Sequence, residues 1–220
     1  MIISHKHRFI FIHNYKVAGT SMKAALAPYD ARSFGTLGRH GKAMVKLGFW
    51  PAIYSEDFPA HIRAVELRER VPRPLFSRYF KFGFVRVPWD WQVSLYTFML
   101  KNTEHPQHAL VKGLADFDAY IDWRVHEDLH LQKEFFYAGD ELLMDHVGRF
   151  EDMASELAGI GTRLGFEARL PHLNRSREGQ HGHLRFYSPR SLGMVEEAFR
   201  EDIDLFGYPV PSLAGTANAG

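Results

Sequence analysis

Two short apolar runs, each followed by a turn and a helix-forming segment, constrain the fold more than any other sequence feature. Residues 8–13 (RFIFIH) and 79–85 (YFKFGFV) are almost continuously apolar. Such runs are typical of strands buried on both faces, as in a parallel sheet. After them, Thr20 begins a helix that Pro28 ends, and Pro88 begins another that extends to about residue 100. We therefore predict an α/β fold, a three-layer P-loop-like arrangement with a central, mainly parallel sheet flanked by helices.

The rest of the chain supplies further elements. We expect helices over residues 61–70, 116–124 and 151–164, and a third strand over residues 144–150. The last helix has the clearest pattern, since Ser188 is a good N-cap, Pro189 a good first residue and Gly207 a good end. Its apolar face consists of residues spaced by three and four, namely Leu192, Val195, Phe199, Ile203 and Phe206.

Composition narrows the class of protein. The chain has 220 residues with 27 Lys+Arg against 26 Asp+Glu, so we expect no nucleic-acid partner. Its length favours a single domain over residues 1–211 with a disordered tail over 212–220. The absence of cysteine excludes disulfides, Cys-ligated zinc and a thiol nucleophile. No apolar run approaches the roughly 20 residues that span a bilayer, and no signal-peptide layout is present, which predicts a cytoplasmic protein.

The segment after the first predicted strand carries the strongest functional signal. It turns at Gly19, where a helix begins with Thr20 and Ser21. Free N–H groups and the dipole at a helix N-terminus favour an anion, and Lys16 adds a positive charge. In a Walker A motif the lysine follows the second glycine, whereas here it precedes the glycine by three residues, so the usual Mg²⁺ pattern is missing. The alternative is an ordinary strand–helix turn with a surface lysine.

Arg86 directly follows the second predicted strand, at the edge where open α/β sheets bind ligands. The planar fork of a guanidinium suits a phosphate better than an ammonium does. Ser94 lies about two turns into the following helix, from which its hydroxyl could reach the same anion. Arg86 alone is equally consistent with an ordinary surface charge.

Together and in this order, the two segments resemble the PAPS-dependent sulfotransferases (PAPS is 3′-phosphoadenosine 5′-phosphosulfate), in particular the carbohydrate-type family that includes heparan sulfate 2-O-sulfotransferases and bacterial family 2 members. Residues 15–21 (YKVAGTS) resemble the 5′-phosphosulfate loop, usually PKTAGTS. Residues 84–96 (FVRVPWDWQVSLY) resemble the 3′-phosphate element, usually FVRNPxxRxxSxY. Residues 171–176 (PHLNRS) and Tyr187 also resemble bacterial members, so the similarity spans nearly the whole chain. Tyr15 and Val87 depart from the usual proline and asparagine.

The resemblance implies a set of binding residues and a reaction. The 5′-phosphosulfate would be held by Lys16, Val17, Ala18, Gly19, Thr20, Ser21 and Met22. The 3′-phosphate would be held by Arg86 and Ser94, and the adenosine end would be closed by Asn174, Arg175 and Ser176. The sulfuryl group would move in line to an acceptor hydroxyl, leaving PAP (3′-phosphoadenosine 5′-phosphate), without a metal.

Two residues are assigned to catalysis. Positioning and charge stabilisation supply most of the catalysis in such a transfer, and Lys16 would neutralise the leaving oxygen. A histidine is suited to take the acceptor's proton near neutral pH. Among 13 histidines, His61 lies between the two cofactor segments and resembles the family's catalytic histidine, which also precedes a helix. His13, His181 and His183 are weaker candidates.

Other functions stay open at this point. Residues 126–130 (HEDLH) match H-E-x-x-H, which on a helix would place His126 and His130 on zinc with Glu127 as the base of a metalloprotease. The chain could also be a P-loop kinase-like enzyme that uses ATP and Mg²⁺, or a PAP-binding module without catalysis.

The resemblance favours a carbohydrate acceptor. Aromatic residues could stack on its sugar faces or simply form core, namely Phe49, Trp50, Tyr54 and Phe58.

Overall fold

The computed structural model describes residues 1–31, 58–170 and 182–212. The described chain divides into two compact units, each considered by itself below. The sheet unit comprises Met1–Val85 and Lys133–Leu173, and the helical unit comprises Arg86–Gln132 and Asn174–Gly220. The prediction of a single domain over residues 1–211 stays a prediction. Several predicted features lie outside the described residues: Phe49, Trp50, Tyr54, Asn174, Arg175, Ser176, His181 and the tail after Ser212.

The sheet unit contains six strands in its described part. They are β1 (Ile2–Ser4), β2 (Phe9–Phe11), β3 (Phe80–Val85), β4 (Tyr137–Ala138), β5 (Glu141–Leu142) and β6 (His146–Arg149). One sheet has the order β1-β2-β3-β6, and β4 and β5 form a separate hairpin. Phe11 of β2 pairs with Phe82 of β3, and Phe84 of β3 with Gly148 of β6, both in parallel register. Only β1 is antiparallel to its neighbour in this sheet.

The helices fall into two groups. Those of the sheet unit are α1 (Gly19–Leu26), α2 (Ala64–Arg70), α3 (Arg73–Arg78) and α7 (Met153–Leu164). Those of the helical unit are α4 (Pro88–Lys101), α5 (His108–Gly113), α6 (Phe117–His126), α8 (Pro189–Ala198) and α9 (Arg200–Phe206). Short 3-10 helices cover Ala27–Tyr29, Gln132–Phe135, Phe150–Asp152 and Gly182–Phe186.

Helices cover the sheet, which buries its central strands on both faces. Phe9, Ile10 and Phe11 are each at most 1% exposed, although neighbouring residues of a strand point to opposite faces. α7 packs against β6, and α1 buries Met22 and Leu26 completely. The predicted α/β fold with a mainly parallel sheet flanked by helices is confirmed.

The structure contains one strand that was not predicted and corrects two predicted helix boundaries. β1 was missed because a three-residue strand is too short to show a pattern. The helix expected from residue 61 begins at Ala64, so His61 lies in the turn before it. The last predicted helix is two helices, since the backbone leaves helical geometry at Phe199 (φ −104, ψ 18). The apolar spacing continues through that break, and Phe199 is fully buried.

The helical unit has a core of large aromatic side chains. Trp89, Trp91 and Tyr120 are fully buried, and the Tyr187 hydroxyl donates to the Trp89 carbonyl at 2.8 Å. The predicted Ser188 cap is confirmed, because its hydroxyl accepts from the Ser191 N–H at 3.2 Å. In the described ranges, no helix is long and apolar enough to cross a bilayer.

Candidate functional site

The β2–α1 loop, residues 12–18, has an unusual backbone. Lys16 (φ 59) and Ala18 (φ 48) both adopt the left-handed conformation, although neither is glycine. Such residues cost roughly 1–3 kcal/mol each and cluster at ligand-binding sites. Ala18 is also the N-cap of α1 and provides no side-chain cap for its first N–H groups. Left-handed residues in a turn can gather N–H groups into an anion-binding concavity, so this backbone is compatible with the predicted anion site.

Gly19 is required by the packing of a histidine. A Cβ atom at this position would lie 1.7 Å from Nε2 and 1.9 Å from Cε1 of His13. Gly19 therefore lies closely against the ring of His13, a residue of the same loop that comes two positions after β2. Any larger residue at position 19 would push the loop and this ring apart.

His61 lies against the start of the same loop. Its Nδ1 atom is 3.2 Å from the carbonyl oxygen of His13, and its ring centroid is 4.6 Å from that of His13 and 5.9 Å from that of Tyr15. The neighbouring Arg63 forms an ion pair with Glu134 at 2.5 Å, which ties down the turn that carries His61. The structure thus brings the predicted base to the predicted phosphosulfate loop within the sheet unit.

The protonation of His61 follows from this contact. A carbonyl oxygen only accepts, so Nδ1 must carry the proton and Nε2 keeps its lone pair. Burial lowers the pKa of His61 below its ordinary 6.5, the hydrogen bond to His13 raises it, and the positive charges of the Met1 amino group and Lys23 lower it further. The net shift is downward, so the imidazole is neutral at pH 7 and able to accept a proton.

His13 is buried and neutral. Burial, followed by repulsion between the protonated forms of His13 and His61 and by the positive charges of the Met1 amino group and Lys23, lowers the pKa of His13 to about 3. Neither of its ring nitrogens reaches a hydrogen-bond partner within the described residues, although the Ala60 carbonyl is near enough to raise the pKa slightly. His13 is only 7% exposed, and its weaker candidacy as the base stays a prediction.

Arg86 in the helical unit is held by two partners. Its Nε and Nη2 atoms lie 2.6 and 2.5 Å from Oδ2 of Asp90, one turn along α4. Its backbone N–H donates to Oε1 of Gln132 at 2.9 Å, and Nε2 of Gln132 donates to the Arg86 carbonyl at 2.7 Å. The predicted phosphate ligand is therefore fixed in place but already paired with a carboxylate. Ser94 is half-buried on α4.

The comparison with protein-family models identifies the family of this chain. A model of the Sulfotransferase family matches residues 1–209. The chain belongs to the Sulfotransferase family. Members of this family generally use PAPS and transfer a sulfuryl group to a hydroxyl-type acceptor. A comparison with individual curated proteins found no match.

The metalloprotease alternative is not supported in this sulfotransferase. α6 ends at His126, Glu127 is its C-cap, and His130 lies beyond the helix, so the two histidines do not share a helical face. Nδ1 of His126 instead lies 2.8 Å from the Asp122 carbonyl. Among the described residues, no three histidine or acidic side chains are grouped so as to hold a metal ion. The kinase-like alternative likewise receives no support from the family match.

Two other sequence candidates have ordinary surroundings. Nδ1 of His183 lies 4.0 Å from Oδ1 of Asp90, in the helical unit. Phe58 is only 8% exposed, so it forms core rather than a platform for a sugar. Sequence reasoning missed Asp90 as the partner of Arg86, although Asp90 lies in the first turn of α4 and only four residues after Arg86. No local signal marked Gln132, which is 46 residues from Arg86.

Proposed function

We propose that this sulfotransferase moves the sulfuryl group of PAPS to a hydroxyl of an acceptor, and that the acceptor is a carbohydrate. The family match supplies the reaction class. The observation that carries the assignment to residues is the position of His61, with Nδ1 3.2 Å from the His13 carbonyl beside the β2–α1 loop. The finer fold assignment, a three-layer P-loop-like arrangement, is part of the same proposal.

The β2–α1 loop and the start of α1 bind the 5′-phosphosulfate in this proposal. The left-handed backbone at Lys16 and Ala18 and the uncapped helix N-terminus support that role. The Lys16 ammonium neutralises the charge that develops on the leaving phosphate oxygen. The full set of residues proposed for this end is Lys16, Val17, Ala18, Gly19, Thr20, Ser21 and Met22.

His61 acts as the base. PAPS, when bound, supplies an activated sulfuryl group on a good phosphate leaving group. Nε2 of His61 takes the proton of the attacking hydroxyl, because the Nδ1 proton is committed to the His13 carbonyl. That hydrogen bond becomes charge-assisted once the ring is protonated, so it stabilises the imidazolium as it forms.

The other end of the nucleotide is assigned to Arg86 and Ser94, which bind the 3′-phosphate, and to Asn174, Arg175 and Ser176 around the adenosine. The Gln132 contacts support the role of Arg86, since they fix its backbone on both sides. Asp90 orients the guanidinium but also competes with the phosphate for it. The proposal needs no metal step.

The test is a transfer assay with PAPS and a panel of sugar, peptide, lipid and small-molecule hydroxyl acceptors. We expect acceptor-dependent release of PAP and a sulfated carbohydrate detected by mass spectrometry. Lys16→Met should lower kcat about 10²–10³-fold, whereas Lys101→Met, at the end of α4, should not change it. PAP binding without transfer to any acceptor would instead identify a binding module without catalysis.

A further inference from the structure

We propose that His13 is a positioning residue for sulfuryl transfer: its imidazole, clasped between Gly19 and His61, fixes the base relative to the β2–α1 loop. This inference rests on the proposed function. His13 itself contacts neither the nucleotide nor the acceptor in this proposal. It acts through the β2–α1 loop and His61, which do.

Packing alone does not explain an imidazole at this position. His13 is 7% exposed, and both of its ring nitrogens are buried without a well-aligned hydrogen bond in the described ranges, the nearby Ala60 carbonyl being the weak contact that raises its pKa. Buried polar atoms without partners destabilise a protein, while an apolar side chain of similar shape does not carry that cost. Such unsatisfied groups are rare, and a catalytic role is one of their accepted explanations.

His13 contacts the base, His61, through both its main chain and its ring. Its main-chain carbonyl accepts the Nδ1 proton of His61 at 3.2 Å, and its ring packs on the His61 ring at 4.6 Å between centroids. The same ring fills the space that a Cβ of Gly19 would need. A shift of His13 would therefore move the loop and rotate the base together. A misplacement of about 1 Å in such a constellation costs on the order of 100-fold in rate.

The charge state of His13 suits this position. Among the described residues, the rings of His13 and Tyr15 pack on His61, and Lys23 and the Met1 amino group act on it through their charge. Two of these carry positive charge, so a protonated His13 would make it still harder for His61 to accept a proton. Burial keeps His13 neutral, because it lowers the pKa of this ring to about 3.

The experiment compares His13→Leu and the milder His13→Gln with a matched control. His7→Leu is that control, since His7 in the same unit also has a buried ring nitrogen without a partner and bonds a carbonyl, that of Leu164, at 3.1 Å. We expect His13→Leu to lower kcat on the order of 100-fold with a nearly unchanged KM for PAPS. We also expect the acid limb of kcat to move up toward pH 6.5, because His61 becomes more hydrated. His7→Leu should change neither quantity.

Several outcomes would overturn the proposal. One is a folded His13 variant whose kcat and acid limb match the wild type. Another is a variant that loses PAP binding and kcat together with an unmoved acid limb, which indicates a structural role only. If neither variant folds, the nitrogen chemical shifts of the wild-type imidazoles test the proposal instead. We expect His61 to be protonated at Nδ1 and His13 not to titrate between about pH 5 and 8. Titration of His13 in that range contradicts the proposal, whereas a wild type that never transfers sulfuryl contradicts only the proposed function.

Discussion

The β2–α1 loop and the Arg86 segment, residues 86–94, each follow a buried parallel strand, yet they are held in different ways. The loop keeps its shape through left-handed backbone at Lys16 and Ala18 and through the His13 ring. The Arg86 segment is held by a carboxylate and a buried amide, those of Asp90 and Gln132. If the loop binds the phosphosulfate and Arg86 the 3′-phosphate, as proposed, the first site is preorganised by its backbone, whereas the second must share its cation with Asp90.

The largest effect is expected in the loop region, from the base. His61→Ala should lower kcat about 10²–10⁴-fold, because the attacking hydroxyl loses its proton acceptor, while PAP affinity changes little. Steady-state kinetics and calorimetry with PAP measure the two quantities. A variant that retains wild-type kcat would exclude His61 as the base but leave the family assignment intact.

The pH dependence of kcat in the wild type also tests His61 as the base. The proposed mechanism requires neutral His61, so kcat should be constant near pH 7 and fall as the pH drops through the pKa of this residue. Since burial lowers that pKa below 6.5, the midpoint of the acid limb should also lie below 6.5. A midpoint above 6.5 would contradict the burial of His61 against the loop.

Gly19→Ala should disrupt the packing of the β2–α1 loop against His13. The new Cβ would overlap the His13 ring, so we expect a loss of roughly 1–3 kcal/mol in the free energy of unfolding and weaker PAP binding. Gly159→Ala in α7 is the matched control, since a Cβ there meets nothing within 4 Å and should stabilise by about 0.4–1 kcal/mol. Denaturant unfolding compares both. Equal stability of the two variants would mean that His13 does not confine the loop.

These contrasts also show how far the sequence could predict the structure. β2, β3 and α4 were predictable because continuous apolar runs and Pro88 are strong local signals. The break at Phe199 was not, because the apolar spacing of three and four continues across it. The anion-binding role of Lys16 and Gly19 was predicted from local pattern and family resemblance, and it stays a prediction. The contact of His61 with His13, 48 residues away, is tertiary, and left-handed Lys16 and Ala18 leave no mark in composition.

A smaller effect is expected in the Arg86 segment. Asp90→Asn removes the negative charge that competes with the 3′-phosphate, so PAP should bind several-fold more tightly while ADP affinity is unchanged. Asp122→Asn, which disturbs an exposed pair with Arg190, should leave both affinities unchanged. Calorimetry gives the two dissociation constants. Weaker PAP binding by Asp90→Asn would show that the carboxylate orients Arg86 more than it competes.

The smallest effect is expected outside both regions. His126→Ala removes an exposed histidine at the end of α6, so kcat and PAP affinity should stay at wild-type values. Metal analysis of the purified wild type and variant is the accompanying measurement. Stoichiometric zinc that disappears in the variant would restore the metalloprotease interpretation.

The central claim is that the chain binds a nucleotide with both a 5′-phosphate and a 3′-phosphate, and calorimetry with PAP, ADP and ATP tests it most directly. We expect the wild type to bind PAP much more tightly than ADP or ATP, and Arg86→Ala to lose most of that preference while it keeps its fold. Equal affinity of the wild type for PAP and ADP would contradict the account.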